Sequence, residues 1–538
     1  MNCRQMFGAA LAIAKTGIIW PARPWDYLRM LDVAWRWGAS LATASAVAAV
    51  RVPEQAAVID DRGSLTWKEV DGAADAVARA LVSRGLGPES MVGLMCRNSR
   101  WFLIGTLAVS KLGADLVLLN TEFGTEQLDQ VLSREGATAA IFDDEFVPVV
   151  EATGFEGVSV GHSELEELAA GKRGAPLQPP GRTSRIVIMT SGTTGLPKGA
   201  QRGSIMPPLN VVLGAFSVLP LRAREPVVVA SPLFHALGLG FMGFALGLQG
   251  SLIVQSRFDP EATLAALSEQ RATVLVVVPV MLQRIMALSE RTMAGYDTSS
   301  LRVIVCSGSS LSPRLATVAM DRFGEVLYDF YGSTEAGWAT MATPADLRDA
   351  PGTVGRAPMG TTVAILDQRG RPLPAGRTGR IFVGGGMAFD GYTGGGGKEM
   401  VGELLSTGDT GHLDDQGRLF VEGRDDEMIV SGGENVFPAE VEALLRDHES
   451  VDDAAVVGVD DEAMGQRLAA FVVVRPGASL SVEDIKGLVR SRLARFKVPR
   501  DVTFVEQIPR NATGKVRKPQ LGGRPAAEPE LGAGWPAG

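Results

Sequence analysis

The sequence predicts an α/β fold in which a large N-terminal domain holds mainly parallel sheets with helices on both faces. That domain includes a barrel-like subdomain, and a small C-terminal α+β domain follows it. Three observations carry this reading. From about residue 55, continuous Val/Ile/Leu runs alternate with helical periodicity. Between about 350 and 422 the texture changes to short strands and glycine turns, including 384–386 and 394–397. After Gly423 a compact segment reads as strand, helix, two strands, helix, strand.

In chain order, Val70, Ala73, Ala74, Val77 and Leu81 recur at helical spacing, with Gly85 as the residue that ends the helix. Residues 91–96 follow as a strand, 101–112 as a helix, 116–119 as a strand, 125–134 as a helix and 139–142 as a strand. Residues 186–189 form a buried strand. The same rhythm returns in strand 274–278, helix 312–323 and strand 326–331. The last segment places helices at 439–448 and 482–494. At 538 residues the chain is too long for one core. The expected division is a helical extension (1–50), a large domain (51–423), a hinge (424–428), a small mobile domain (429–520) and a Gly/Pro/Ala-rich disordered tail (521–538).

A hydrophobic content of 46% with 21% charged residues is that of a globular protein, and a net charge of −9 argues against nucleic acid as a partner. Three cysteines, Cys3, Cys96 and Cys306, imply no disulfide framework and fit a reducing, cytoplasmic setting. Four of the eight tryptophans (Trp20, Trp25, Trp35, Trp37) cluster near the start, interleaved with Arg23, Arg29 and Arg36. That composition suits a helix lying on a membrane surface. Packing on the main domain, or on a second subunit of a homodimer, is the alternative. Residues 233–254 are apolar enough to span a bilayer, yet His235, Gln249 and frequent glycines favour a buried helix followed by a core strand. The stretch contains a formal GxGxxG from Gly238 to Gly243. The strand before it ends too early for a dinucleotide site.

The chemistry concentrates in a few loops. Thr190, Ser191, Gly192, Thr193, Thr194, Gly195, Leu196, Pro197, Lys198 and Gly199 follow a buried strand. Glycines let backbone N–H groups crowd an anion, hydroxyls add donors, and the lysine adds charge, so the loop suits polyphosphate. Pro197 before Lys198 and Gly199 after it depart from the Walker pattern. Tyr331, Gly332, Ser333, Thr334 and Glu335 follow a strand at its carboxyl end, where open α/β sheets place ligands. A carboxylate there can hold Mg²⁺, Thr334 can bond phosphate, and Tyr331 offers a stacking face. Ser307, Gly308, Ser309 and Ser310 make a second rim of the same kind. Asp409 sits in the turn 406–411 and can accept from ribose hydroxyls. Asp426 falls at the domain boundary, and Lys515 stands alone on a glycine-flanked loop. The four histidines have no metal-ligand spacing, and no GxSxG elbow occurs.

Set in this order, the glycine-rich loop, YGSTE, TGD, GRDDEMIVSGGENVFPAEVE and ATGK resemble the adenylate-forming superfamily of acyl-CoA synthetases, luciferases and peptide-synthetase adenylation domains. The resemblance spans about residues 50–520. It is nearest to bacterial long- and medium-chain fatty acyl-CoA synthetases, through 431–438 and Phe234-His235. It implies a two-step ligase: a carboxylate attacks the ATP α-phosphate, pyrophosphate leaves, and CoA thiol then displaces AMP. A carrier protein in place of CoA, or an aryl acid in place of a fatty acid, is the alternative. By motif, Thr190 to Lys198 would hold the β and γ phosphates, with Glu335 and Thr190 on Mg²⁺. Tyr331 would stack on adenine, Asp329 would meet its amino group, and Asp409 and Arg424 would take the ribose. Lys515 would bridge the attacking carboxylate and the phosphate, and Asp426 would be the hinge. Gly433 would line the pantetheine tunnel, and His235 would gate the acyl pocket.

Overall fold

The computed structural model describes residues 13–18, 23–171, 177–190, 197–203, 209–425, 429–431, 434–461, 465–511 and 514–521. Four sheets organise them. One is eight-stranded and runs Gly337–Ala342, Leu327–Ser333, Val303–Ser307, Val274–Val277, Pro226–Val229, Ser251–Ile253, Ala56–Asp60, Gly63–Thr66. Its interior pairs are parallel, and only the pair at each edge is antiparallel. A second sheet has seven strands: Gly391–Tyr392, Lys198–Arg202, Ile186–Thr190, Asp115–Leu118, Met91–Met95, Ala139–Phe142, Val158–Gly161. It is parallel from Ile186–Thr190 onward.

Continuous apolar strands require cover on both faces. One core cluster unites both large sheets through helices Leu41–Arg51, Trp67–Ser83, Arg100–Leu112 and Ala236–Gly247. The outer faces are covered by Pro260–Glu269, Pro279–Met286 and Pro313–Phe323 on one sheet and Thr125–Glu135 on the other. Local signals set the helix ends. Thr66 and Glu69 form a reciprocal capping box, Ser312 caps Pro313–Phe323, and Gly85 takes the left-handed conformation (φ +85°) after Trp67–Ser83.

The expected barrel-like region is an antiparallel sheet of Thr361–Leu366, Gly379–Gly385, Leu404–Leu413 and Met400–Val401, with Leu419–Arg424 added to Leu404–Leu413. The last sheet is built wholly from residues 429–504 and has its own apolar core with Pro438–Arg446 and Val482–Arg492. Two differences from the sequence reading bear on function. The strand expected at 326–331 continues through Ser333, because Gly337–Ala342 returns antiparallel and pairs with it. Helix Leu209–Val218 had no periodic signal, since its face is apolar nearly all round. Among the described residues, no helix is long and apolar enough to cross a membrane.

Candidate active site

The phosphate-type loop is pinned at its base. Ile186–Thr190 and Lys198–Arg202 pair antiparallel with Thr190 opposite Lys198, and Thr190 Oγ1 donates to the Lys198 carbonyl at 3.1 Å. Arg134 holds the Pro197 carbonyl at 2.6 Å. Ser191, Gly192, Thr193, Thr194 and Gly195 lie outside the described residues, as do Asp426 and Gly433. The short strand Gly391–Tyr392 adds to the far side of Lys198–Arg202. It brings the Tyr392 ring beneath Lys198 Nζ, 5.4 Å from the centroid, while Tyr392 Oη donates to Glu335 Oε1 at 2.8 Å. Burial and that bond hold the Tyr392 phenol protonated. Tyr392 thus joins the loop lysine to Glu335. Sequence reasoning missed it, and its only signal is its place before the glycine run 394–397.

Tyr331 and Gly332 lie at a bulge in the Leu327–Ser333 strand. A Cβ on Gly332 would sit 2.0 Å from the Gly337 carbonyl, so only glycine lets the hairpin close this tightly. Tyr331 Oη donates to Asp409 Oδ2 at 2.6 Å. Asp409 stands opposite Arg424 in the antiparallel ladder, with Nη1 3.8 Å from Oδ1. Burial raises the Asp409 carboxyl, and the Tyr331 bond and the charges of Arg424 and Lys515 oppose that rise. Gly308 (φ +96°) and Ser309 rim the same cleft, where Ser307 Oγ donates to the Phe330 carbonyl at 2.7 Å.

Lys515 reaches this cleft from the other end of the chain. Its loop closes through a bridge between Arg510 and Val516, with Lys515 N–H donating to Asn511 Oδ1 at 2.9 Å. Gly514 (φ +78°) presses on the large domain so closely that a Cβ there would lie 2.9 Å from Val280 Cγ1. Gln283 Nε2 donates to the Asp452 carbonyl (2.7 Å) and Arg517 pairs with Glu122 (2.5 Å), tying the two bodies in this arrangement.

His235 faces the cleft but is enclosed by protein. Burial first, and the Lys515 charge second, push its imidazole down to about 3. It is neutral at ordinary pH, so it acts as a wall of the pocket and brings no positive charge to it. Asp329 departs from its expected place. It is 4% exposed, stands opposite buried Cys306 in the parallel ladder and does not line the cleft. Its Oδ1 has no hydrogen-bond partner among the described residues.

Burial raises the Asp329 carboxyl to about 7. A carboxyl raised on folding stabilises the fold below its ordinary value of 3.8, and that contribution is lost as pH rises through about 7. Asp329→Asn, which cannot ionise, should therefore flatten the decline in melting temperature across this window and be the more stable form at pH 8. Equal slopes in wild type and variant would show that Asp329 does not titrate there.

Lys198, Tyr331, Glu335, Tyr392, Arg424, Lys515 and His235 open into one cavity of about 1580 Å³, larger than the ~300–1,000 Å³ of most single-ligand sites. Beyond His235 it runs along helix Ala236–Gly247. One face of that helix (Leu239, Phe241, Met242, Ala245, Leu246) is packed in the core. The other shows Gly240, Gly243 and Gly247 to the cavity. A Cβ on Gly243 or Gly247 would meet nothing within 4 Å. Phe216, Phe244 and Trp338 wall this passage, with Phe244 and Trp338 stacked at 5.5 Å, and Leu248, Ile18 and Leu41 also line the cavity.

The family described as AMP-binding enzyme matches residues 46–393, and its C-terminal domain matches 440–515. The chain belongs to this family. It is 32% identical over 488 residues to an indoleacetate–CoA ligase of Aromatoleum aromaticum, covering 87% of this chain and 93% of that one. It is 33% identical over 485 residues to a feruloyl-CoA synthase of Amycolatopsis (87% and 96% covered). The solved structure of ATP-bound MatB from Rhodopseudomonas palustris superposes with a TM-score of 0.79 at 26% identity, covering 89% and 98%.

Proposed function

We propose that this protein is an AMP-forming acid–CoA ligase whose acid has an extended apolar body, a fatty acid in preference to a compact aryl acid. The observation that carries this is one continuous cavity. It is lined by Lys198, Glu335, Arg424 and Lys515 and also by an apolar passage along the bare face of a helix.

The residues fit ATP. Tyr331 offers a ring that lines the cleft, and its hydroxyl holds Asp409 beside it. They also fit Mg²⁺, which takes one or two carboxylates plus phosphate oxygens and water. Glu335, fixed by Tyr392, is the carboxylate at hand, and no group of three or more His, Cys, Asp or Glu gathers among the described residues. When bound, Mg²⁺ neutralises charge on the phosphates.

In the first step a carboxylate oxygen of the acid bonds to the α-phosphorus as the α–β bridging bond breaks and pyrophosphate leaves. Charge builds on the α-phosphoryl oxygens and on the leaving group. Lys515 serves the first and Lys198 the second, so the protein contributes position and fixed charge. Asp409, held by the Tyr331 hydroxyl and facing Arg424, receives the ribose hydroxyls. Neutral His235 flanks the acid without competing for protons. In the second step the CoA sulfur attacks the acyl carbon and AMP departs. The single positions of Asp426 and Gly433 in the motif assign them the hinge and the thiol approach.

The names of the two relatives favour an aryl acid, and a single ring would leave the far passage empty. Carboxylate-dependent ATP–pyrophosphate exchange over straight-chain and aryl acids decides between them. Each methylene buried in the passage should improve kcat/KM by about fourfold, from roughly 0.8 kcal/mol per CH₂, until the passage is full. A flat chain-length profile with aryl acids best would reject the fatty-acid reading, and no exchange with any acid would reject adenylation. Thioester formation with CoA, and none with a carrier protein, separates the acceptors.

A further inference from the structure

Five of the ten large hydrophobic side chains left exposed among the described residues fall in one 14-residue helix, Pro24–Trp37: Trp25, Tyr27, Leu28, Leu31 and Trp35. No residue of this helix is buried. Its half-buried positions are Asp26, Met30, Val33 and Trp37, which share one side and face the protein. At about 100° per residue, Leu28, Leu31 and Trp35 lie on the opposite side. Their exposures are 69%, 66% and 81%. Arg29 and Arg36 border that apolar stripe, with Arg36 paired to Asp32 at 3.1 Å.

The helix is held firmly from within. Trp37 packs under Lys111 Nζ (5.8 Å), which is itself fixed by Asp71 (2.8 Å) and Asp75 (2.5 Å). The next helix, Leu41–Arg51, is part of the central core. An apolar stripe is thus presented outward on a rigid mount.

Charge indicates what covers it. The helix itself is neutral, with Arg29 and Arg36 against Asp26 and Asp32, and the flanking Arg4, Lys15, Arg23 and Arg51 give the first 52 residues a net of +4. Removing +4 from the total of −9 leaves the remainder of the chain at −13. A second copy would bring its own cationic arm against this one. An anionic lipid surface complements the arm and repels the body, which orients the molecule. Tryptophan, tyrosine and arginine at one helix surface match the depth profile of a bilayer interface.

Position adds a second, independent observation. The lining of the active-site cavity includes Ile18 and Leu41, which stand on either side of this helix in the chain. We propose that helix Pro24–Trp37 docks on an anionic bilayer surface and sets the far end of the passage against the lipid from which an apolar acid is drawn. The docking stands on the arm's own surface, and only the delivery rests on the fatty-acid reading.

Vesicle flotation tests the docking without any catalysis. Full-length protein is mixed at 0.1 M salt with phosphatidylcholine vesicles containing phosphatidylglycerol, and with phosphatidylcholine alone. The comparison variant is Leu28→Glu/Leu31→Glu/Trp35→Glu, whose exposed sites leave the melting temperature unchanged. The wild type should float with the anionic vesicles, at least tenfold better than the variant and better than with neutral lipid. Binding should weaken at 1 M salt, where the screening length falls from about 10 to 3 Å. Wild type that stays at the bottom of the gradient, or a variant that floats equally well, overturns the proposal. So does a concentration-dependent dimer abolished by the triple variant without vesicle binding, which would assign the stripe to a second copy. For delivery, the variant should raise KM for an acid supplied in anionic vesicles and leave KM for soluble butyrate unchanged. An equal KM for the vesicle-borne acid would refute delivery while leaving docking intact.

Discussion

Lys515→Ala should lower carboxylate-dependent ATP–pyrophosphate exchange by roughly 10²–10³-fold, the range for loss of one fixed charge or donor aimed at a developing negative centre. The argument is electrostatic. Lys515 enters a cleft where burial already raises the carboxyl of Asp409 and lowers the imidazole of His235, and its charge acts on both. A charge that acts at those positions also acts on a phosphoryl group lying between them, and water screens it less there than at the surface. The loss should fall on kcat, with little change in ATP affinity, because the attacking oxygen and the α-phosphate share the charge most closely in the transition state. Thioester formation from chemically made acyl-adenylate should survive, since no such charge develops there. Gly514→Ala is a second probe that keeps the ammonium. Its strained φ of +78° and the 2.9 Å approach to Val280 should lift the loop away and lower exchange in the same direction. Full exchange activity in Lys515→Ala would refute the assignment.

Gly243→Leu should divide the substrates. A Cβ at Gly243 meets nothing within 4 Å, so the new side chain would extend into space that an acyl chain needs. For acids of twelve or more carbons, kcat/KM should fall by roughly 10²-fold or more, within the reach of pocket discrimination by a few methylenes. Butyrate and other short acids, which end before Gly243, should be unaffected. Stability should rise, since leucine in a helix interior is favoured over glycine by roughly 0.5–1 kcal/mol. A simultaneous gain in melting temperature and loss of long substrates is hard to produce by general damage. Unchanged activity toward long acids would place the chain elsewhere and remove the basis for the fatty-acid reading.

The fold was legible because α/β sheets announce themselves locally: fully apolar strands, capped helices and glycine punctuation each need only neighbouring residues. The nucleotide side was legible for a related reason, since each motif is a contiguous loop at a strand end. What was hidden depends on distant pairing. Tyr392 matters only because a two-residue strand lies against Lys198–Arg202, nearly 200 positions earlier in the chain. Asp329 lies two residues before Tyr331, yet the neighbouring strand sets it against Cys306 inside the core, a pairing that no local motif shows. The glycines of Ala236–Gly247 form a GxGxxG pattern, but the preceding strand ends at Val229, well short of the helix. Their other meaning, a bare helix face, appears only when the opposite wall is known.

That bare face carries a thermal consequence. Four of the twelve residues in Ala236–Gly247 are glycine, a propensity deficit on the order of 4 kcal/mol against alanine. The segment is helical because the core clamps its other side, so on warming it should loosen ahead of the sheets it packs on. The selectivity of the passage would then blur at temperatures where nucleotide chemistry still runs. A bound acyl chain, by filling the missing half of the packing, would restore the helix's rigidity. The enzyme would be most discriminating while a long substrate is inside it.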